Sequence, residues 1–202
     1  MFWGPRAVEE SARYLSGLVQ SGRYRIEQCN SAEMKTLLGD LANEYGRAFT
    51  IEVSELCQTN KIWEIDTEVA ISPHGKLIAS KDLGDIDVLI IDSIRLRIYS
   101  LECKDTGFAR NARELANEVE NFDANHENSW MQKHLQRDKW IKENLATLST
   151  TYAKDLHDYR VSSALVCSEV LPTSFISGSA LPILSLSELK RDGIQSIEKI
   201  VP

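Results

Sequence analysis

The chain has 202 residues and a formal net charge of −7, with 43% hydrophobic and 26% charged residues. This length suits one domain, or one domain with an elaboration, and the composition is that of an ordinary soluble globular protein. No apolar run approaches the ~20 residues of a membrane-spanning helix, and the N-terminus lacks the pattern of a signal peptide. We therefore expect a cytoplasmic protein that does not associate with a membrane.

Four cysteines, Cys29, Cys57, Cys103 and Cys167, are scattered without a CxxC spacing. This distribution argues against a zinc site or a disulfide framework and predicts reduced thiols. The negative net charge argues against tight, nonspecific binding to nucleic acid, which needs a basic surface. A nuclease remains compatible with it, because the local distribution of charge is what a phosphate backbone meets.

An amphipathic pattern predicts the first helix over Ala7–Gln20, and residues 24–29 suggest a short extended segment. We expect residues 1–30 to form an N-terminal helical extension. Residues 31–202 are then expected to form the main domain.

Two helices separated by a glycine are predicted next. A capping-box pattern starts one helix at Ser31, and it runs to about Tyr45. After Gly46 a second helix covers Arg47–Cys57, in which Glu52 lies on an otherwise apolar face. Glu52 is therefore either a candidate site residue or a partly exposed glutamate at the edge of that face.

Apolar and polar residues alternate over Lys61–Ser72, which predicts a half-exposed β-strand followed by a turn at Pro73–Lys76. Glu68 lies on the acidic face of this strand. It is a weaker candidate for the site than Glu52, since a solvated acid is the simpler explanation.

The segment from Gly84 to Asp105 predicts a β-hairpin, because two alternating apolar runs flank a polar break at Ser93. Alternation with period two places Glu102 and Lys104 on one face of the second strand. Asp87 lies near the corresponding end of the first strand. Two acids and a lysine are therefore expected to meet at one end of the hairpin.

A carboxylate pair at this position has no structural motive, since desolvating a lone carboxylate costs several kcal/mol. A divalent cation would compensate, and hard oxygen ligands favour Mg²⁺ or Mn²⁺ over zinc. The predicted metal ligands are Asp87, Glu102 and the backbone carbonyl of Cys103. Lys104 would orient or help to deprotonate a water molecule, or neutralise charge that develops on a phosphate.

The order GDID at residues 84–87 and ECK at 102–104 resembles the PD-(D/E)xK nuclease superfamily, which includes restriction endonucleases and Holliday-junction resolvases. The resemblance implies an α/β, restriction-endonuclease-like fold, with a mixed central β-sheet flanked by helices on both faces. It also implies a magnesium-dependent deoxyribonuclease in which Asp87, Glu102 and Lys104 are catalytic.

Members of that superfamily often carry an additional acid after a Gly-x-x-Phe pattern, which is similar to Gly46–Phe49 here. The acid usually follows the aromatic residue directly, whereas this chain has Thr50 at that position. Despite that difference, the resemblance implies that Glu52, two residues after Thr50, is a further catalytic residue that binds or positions a second cation.

Helices are predicted after the hairpin over Phe108–Phe122 and Ser129–Leu148, with a polar loop between them. The second helix carries a basic cluster that is expected on its exposed face, either as a solvated surface or as a contact for nucleic-acid phosphates. The residues of this predicted nucleic-acid-binding cluster are Lys133, His134 and Arg137.

A buried strand over Arg160–Ser168 is expected to pair with the hairpin through a helical crossover. A short strand over Leu181–Leu186 and helices over Glu188–Asp192 and Ile194–Val201 complete the chain. The order helix, strand, strand, strand, helix, strand is that of the resembled nuclease core.

We therefore predict a metal-dependent endonuclease that hydrolyses DNA phosphodiester bonds in defence, restriction or repair. The alternative is a catalytically silent nuclease-fold domain that binds nucleic acid or protein within a larger assembly. A thiol hydrolase that uses Cys167 with His126 or His134 is a third interpretation. The sequence leaves open DNA or RNA as substrate, and a homodimer or a part of a longer multidomain protein as the assembly.

Overall fold

The computed structural model describes residues 4–20, 24, 29–58, 62–107, 109, 111–176 and 179–199. The chain divides into two compact units, Met1–Phe49 and Thr50–Pro202. Most of the extended segment predicted for residues 24–29 lies outside the described residues.

The first unit contains helix α1, Pro5–Gln20, and the first part of helix α2, Ala32–Cys57. The hydroxyl of Tyr45 in α2 donates a hydrogen bond to the carbonyl of Gln20 at 2.7 Å. This bond links the end of α1 to α2 within the unit.

Helix α2 continues through Gly46 without a break, so the predicted interruption was wrong. A glycine in a helix interior costs only about 1 kcal/mol relative to alanine. A helix of 26 residues absorbs that cost, and the predicted pair of helices is a single one.

The second unit is built on a mixed six-stranded sheet in the order β2-β1-β3-β4-β5-β6. β1 with β3 and β3 with β4 are antiparallel, and the other three pairs are parallel. The strands are β1 Glu64–Ser72, β2 Leu77–Ile78, β3 Gly84–Asp92, β4 Arg97–Lys104, β5 Arg160–Cys167 and β6 Ile183–Ser185. The predicted hairpin corresponds to β3 and β4, whereas β2 was not predicted.

The turn between β3 and β4 is organised by the buried carboxylate of Asp92. Its Oδ1 accepts the backbone N–H groups of Ile94 at 3.0 Å and of Arg95 at 3.1 Å. A short acid that binds the backbone two and three residues ahead stabilises a turn. Asp92 therefore fixes where the hairpin reverses.

Replacing Asp92 by alanine is expected to lower the free energy of unfolding by about 1–3 kcal/mol, because two backbone N–H groups of the turn lose a charged acceptor. Urea unfolding measures the change. Asp85, an exposed acid of the same strand, is the matched control, and an equal loss in both variants would contradict this explanation.

Six further helices follow in the chain, and their bounds agree only in part with those predicted from the sequence. Their bounds are α3 Ala112–Phe122, α4 Trp130–Glu143, α5 Leu145–Tyr152, α6 Thr173–Ile176, α7 Leu186–Asp192 and α8 Ser196–Lys199. The single helix predicted for Ser129–Leu148 was wrong, because Asn144 separates α4 from α5. The side-chain amide of Asn144 donates to the carbonyl of Trp140 at 2.8 Å, and its φ of −127° leaves the helical range.

Helices pack on both faces of the sheet. On one face, α4 and α5 contribute Ile141, Leu148 and Tyr152 to a core that includes Leu89 and Ile98 of the sheet. Tyr99 points to the other face, and its hydroxyl donates to Glu198 of α8 at 2.6 Å. The mixed α/β architecture is therefore confirmed. Within the described residues, no helix has both the length and the apolar character needed to cross a membrane.

Candidate active site

The candidate site lies where two neighbouring strands separate. β3 and β4 pair as far as Val88 and Leu101. Beyond that point β3 stays paired with β1 down to Gly84, and β4 stays paired with β5 up to Lys104. The end of the hairpin is therefore open between β3 and β4, and side chains rather than backbone groups fill the space.

The three hairpin residues predicted to be catalytic come together at this opening. The Oδ2 atom of Asp87 accepts the backbone N–H of Cys103 at 2.7 Å, in place of a ladder hydrogen bond. Next to Cys103, the Oε1 atom of Glu102 lies 2.8 Å from the Nζ atom of Lys104. Burial, and then the charge of Glu102, raises the pKa of Asp87 to about 6. The two carboxylates are therefore close enough to repel each other.

Glu102 is held ionised by two cations. Its side chain is 8% exposed; Lys104 contacts one oxygen, and Arg137 donates to the other. Burial alone would raise the pKa of Glu102, but the charges of Lys104 and Arg137 outweigh burial and lower the pKa below its ordinary value. The two acids of the site thus differ, because Glu102 is compensated and Asp87 is only partly so.

Lys104 remains protonated at neutral pH. Burial alone would lower its pKa, but the charges of Glu102 and Asp87 outweigh burial and raise it. The ammonium also lies 5.7 Å from the ring centre of Trp130, within the range of a cation–π interaction. Of the two chemistries expected for Lys104, a fixed positive charge fits this environment better than a proton acceptor.

The predicted exposed basic face of α4 was wrong for two of its three residues. Lys133 is exposed, but His134 and Arg137 are buried, with relative exposures of 0% and 5%. The reason is helical spacing, because Met131, His134, Arg137 and Ile141 lie along the side of α4 that faces the sheet. Arg137 therefore belongs to the interior of the site, and the apolar residues that bracket it were the missed signal.

His134 connects α4 to β4. Its Nε2 lies 3.1 Å from the carbonyl oxygen of Ser100, so this nitrogen carries the proton and donates. Its Nδ1 lies 3.8 Å from the Oε2 atom of Glu102. Burial lowers the pKa of His134 to about 4, so the ring is neutral at pH 7.

The stability of the protein should fall by about 2 kcal/mol between pH 7 and pH 5 because of His134. Its folded-state pKa is about 4, below the ordinary value, so the unfolded chain takes up the proton first as the pH falls. In a His134→Gln variant this part of the loss should disappear, because glutamine does not titrate. The glutamine amide can still donate a hydrogen bond to the carbonyl of Ser100, so the contact between α4 and β4 is kept. Urea unfolding across this pH range measures the change in the wild type, in His134→Gln and in His157→Gln, a control at a largely exposed histidine. Equal pH dependence of stability in these three proteins would contradict the assignment to His134.

A second buried polar pair anchors α4 to the sheet. Asp138 accepts a hydrogen bond from the hydroxyl of Ser163 in β5 at 2.7 Å. Its other oxygen lies 2.7 Å from the Nζ atom of Lys142. These contacts fix the rotation of α4 that directs His134 and Arg137 towards Glu102.

The donor set is compatible with magnesium or manganese. Mg²⁺ is commonly held by one or two carboxylates, with water and phosphate oxygens completing the shell. Asp87 and Glu102 are such a pair, and a cation beside Asp87 would oppose the burial and the charge of Glu102 that raise its pKa. The described residues contain no group of three or more His, Cys, Asp or Glu side chains that could hold a metal ion. Two carboxylates suit a hydrated cation rather than a closed zinc site.

A comparison with protein families matches residues 1–188 to a family described as anti-phage protein Upx-like. The chain belongs to this family. Membership points to a role in defence against phage, one of the settings expected from the sequence. Comparisons with curated proteins and with solved structures gave no significant match.

In this member of the Upx-like family, Glu52 lies apart from the contacts described above. It forms an ion pair with Lys190 of α7 at 2.8 Å, and both side chains are half exposed. The contacts that the structure describes for Asp87, Glu102 and Lys104 do not include Glu52. Its catalytic assignment stays a prediction, as does the carbonyl of Cys103 as a metal ligand.

Glu68 lies in β1 opposite Asp87. The pairs Thr67–Val88 and Val69–Ile86 flank this position, and Glu68 itself has a φ of 52°. A non-glycine residue in the left-handed region costs of order 1–3 kcal/mol and often accompanies a functional site. The backbone irregularity therefore lies across the β1–β3 pairing from Asp87.

The thiol-hydrolase interpretation conflicts with the environment of Cys167. The residue is fully buried, and burial raises its pKa to about 12. A nucleophilic cysteine needs a lowered pKa and access to substrate. Cys167 has neither property.

Proposed function

We propose that this protein is a Mg²⁺-dependent endonuclease that hydrolyses DNA phosphodiester bonds in defence against phage. The observation that carries the proposal is the convergence of Asp87, Glu102 and Lys104 where β3 and β4 separate. Two carboxylates beside a protonated lysine form a set that can hold a cation and face a phosphate. The resemblance of GDID and ECK to the PD-(D/E)xK superfamily supports the same proposed nuclease activity.

In this proposal Asp87 and Glu102 hold Mg²⁺, or Mn²⁺ in its place. The metal would supply Lewis-acid polarisation of the phosphate and a more acidic water molecule. Lys104 contributes a fixed positive charge that stabilises the negative charge developing on the phosphate in the transition state. Its raised pKa supports this electrostatic role over proton abstraction.

Contacts to the DNA backbone are proposed for the surface near the opening. Lys133 is exposed on α4, one helical turn before Arg137. A phosphate contact of this kind adds affinity without sequence information. Lys133→Ala is therefore expected to weaken DNA binding and to leave the chemical step largely unchanged.

The decisive experiment is nicking of supercoiled phage DNA in Mg²⁺ by the wild-type chain and by Lys104→Ala. Linear, branched and single-stranded DNA, together with RNA, are included to define the substrate. The control is Lys139→Ala, since Lys139 is a largely exposed cation that pairs with Glu143. The proposal expects Mg²⁺-dependent cleavage that is lost in Lys104→Ala and kept in the control. Cleavage by both variants, or by none of the three proteins, would refute it.

A catalytically silent binding module is the second candidate. It is favoured by one observation, that both carboxylate oxygens of Glu102 are already engaged by cations, namely Lys104 and Arg137. A thermal-shift titration with Mg²⁺ distinguishes the endonuclease from the binding module. A site that binds the metal gives about 2.7 kcal/mol of stabilisation at a hundredfold excess over the dissociation constant. Absence of any shift would favour the binding module.

A further inference from the structure

A buried guanidinium spans the opening between β3 and β4. Arg137 donates through Nη2 to Glu102 in β4 and through Nη1 to the carbonyl of Leu83, just before β3, at 3.3 Å. Only 6% of its side chain is exposed. Arg137 is therefore an internal link between the two strands.

The start of β3 is shaped to admit this guanidinium. Gly84 has a φ of +77°, and a Cβ atom at this position would lie 3.2 Å from the Nη1 atom of Arg137. The left-handed backbone and the tight approach both favour glycine. The first residue of the GDID sequence thus makes room for a residue of α4.

The two cations of the opening both contact the same acid, Glu102. Asp87 and Glu102 are opposed by Lys104 and Arg137, and each oxygen of Glu102 has its own cation. Lys104 follows Glu102 along the same strand, whereas Arg137 crosses from β4 towards β3, the strand of Asp87. A divalent cation held by Glu102 would therefore compete with Arg137 for a carboxylate oxygen.

The guanidinium is also incompletely satisfied. Its buried Nε has no hydrogen-bond partner among the residues that the structure describes. Its bond to Leu83 is long for an N–H···O contact. An unpaired buried donor costs free energy, so the buried position of Arg137 is less favourable than that of a fully hydrogen-bonded guanidinium.

We propose that Arg137 is a positioning residue that holds the carboxylate of Glu102 across the opening and competes with the divalent cation for it. The inference rests on the proposed function, because it assumes that Glu102 is a metal ligand. It assigns Arg137 a regulatory effect on metal affinity in place of the surface phosphate contact expected from the sequence.

The test is the dissociation constant for Mn²⁺, measured by isothermal titration on the full chain. Arg137→Met keeps the side-chain length and removes the charge, and its dissociation constant should be about tenfold lower than that of the wild type, the effect of losing one charge-assisted hydrogen bond. Arg137→Lys should return towards the wild-type value. The control is Lys139→Met, which removes an exposed cation of the same helix that pairs with Glu143 instead and should change the constant by less than about twofold.

A second readout uses the wild-type chain, so it does not depend on whether a variant folds. The Nε–H resonance of Arg137, assigned in the wild-type chain through its bonded neighbours, should shift as Mg²⁺ is added. Tighter binding by Arg137→Met together with this shift supports the inference. If the wild type binds metal while Arg137→Met binds it equally or more weakly, or if the resonance stays unchanged at saturation, the inference is overturned and the proposed function stands. If neither protein binds metal, both are overturned.

Discussion

Replacing Asp87 by asparagine is expected to abolish Mg²⁺-dependent nicking and, at the same time, to stabilise the fold. The pKa of this partly buried acid is about 6, so above that pH the folded protein carries an ionised carboxylate that it disfavours. Asparagine removes the charge and still offers an oxygen to the backbone N–H of Cys103. A shift from the ordinary value to about 6 corresponds to a gain of up to about 3 kcal/mol at pH 7.5.

The pH dependence of this gain follows from the sign of the shift. The folded-state pKa of Asp87 is raised, so the folded wild type takes up the proton before the unfolded chain as the pH falls. The advantage of Asp87→Asn should therefore shrink to about half at pH 5 and vanish below about pH 4. Urea unfolding with chelator present measures it, and Asp85→Asn at an exposed position of the same strand is the control. A destabilised Asp87→Asn protein at pH 7.5 would show that the charge of Asp87 is structurally required.

Replacing Glu102 by glutamine should have the opposite effect on stability while also abolishing nicking. The change leaves the charges of Lys104 and Arg137 without their carboxylate in a largely buried site. Breaking a buried ion pair by removing one partner costs about 3–5 kcal/mol. The lower end is expected here, because Lys104 is partly accessible to water and Asp87 is close by.

Urea unfolding at pH 7.5 and a nicking assay under conditions where the variant is folded test this second expectation. Glu143→Gln is the matched control, since Glu143 is an exposed acid that faces Lys139 at 3.8 Å. A Glu102→Gln protein as stable as the control would mean that the carboxylate is not the counter-ion that holds the opening together.

The hairpin and its acids could be predicted from the sequence because they depend on local rules. Alternation with period two fixed the faces of Glu102 and Lys104, and the polar break at Ser93 marked the reversal between β3 and β4. The mixed sheet was implied by the resemblance to the PD-(D/E)xK superfamily, and the structure has such a sheet. The opening itself could not be predicted, because it depends on where backbone pairing between β3 and β4 ends.

Helix α4 shows what local rules miss. A sequence read for charge places His134 and Arg137 on a solvated face, since lone buried cations are rare. They are buried because Arg137 forms an ion pair with Glu102 and His134 donates a hydrogen bond to the carbonyl of Ser100. Such compensation comes from residues more than 30 positions away along the chain, so only tertiary structure reveals it. The break at Asn144 is a smaller case, in which a side-chain hydrogen bond ends a helix that the apolar pattern would continue.

The position of bound metal is the most direct test of the central claim. Crystals grown or soaked with Mn²⁺ should give an anomalous difference peak between the carboxylates of Asp87 and Glu102, at about 2.0–2.2 Å from an oxygen of each. The peak should be absent from crystals of Asp87→Asn. A wild-type map without a peak at this position, or a peak that persists unchanged in Asp87→Asn, would contradict the claim that these two acids together hold the cation.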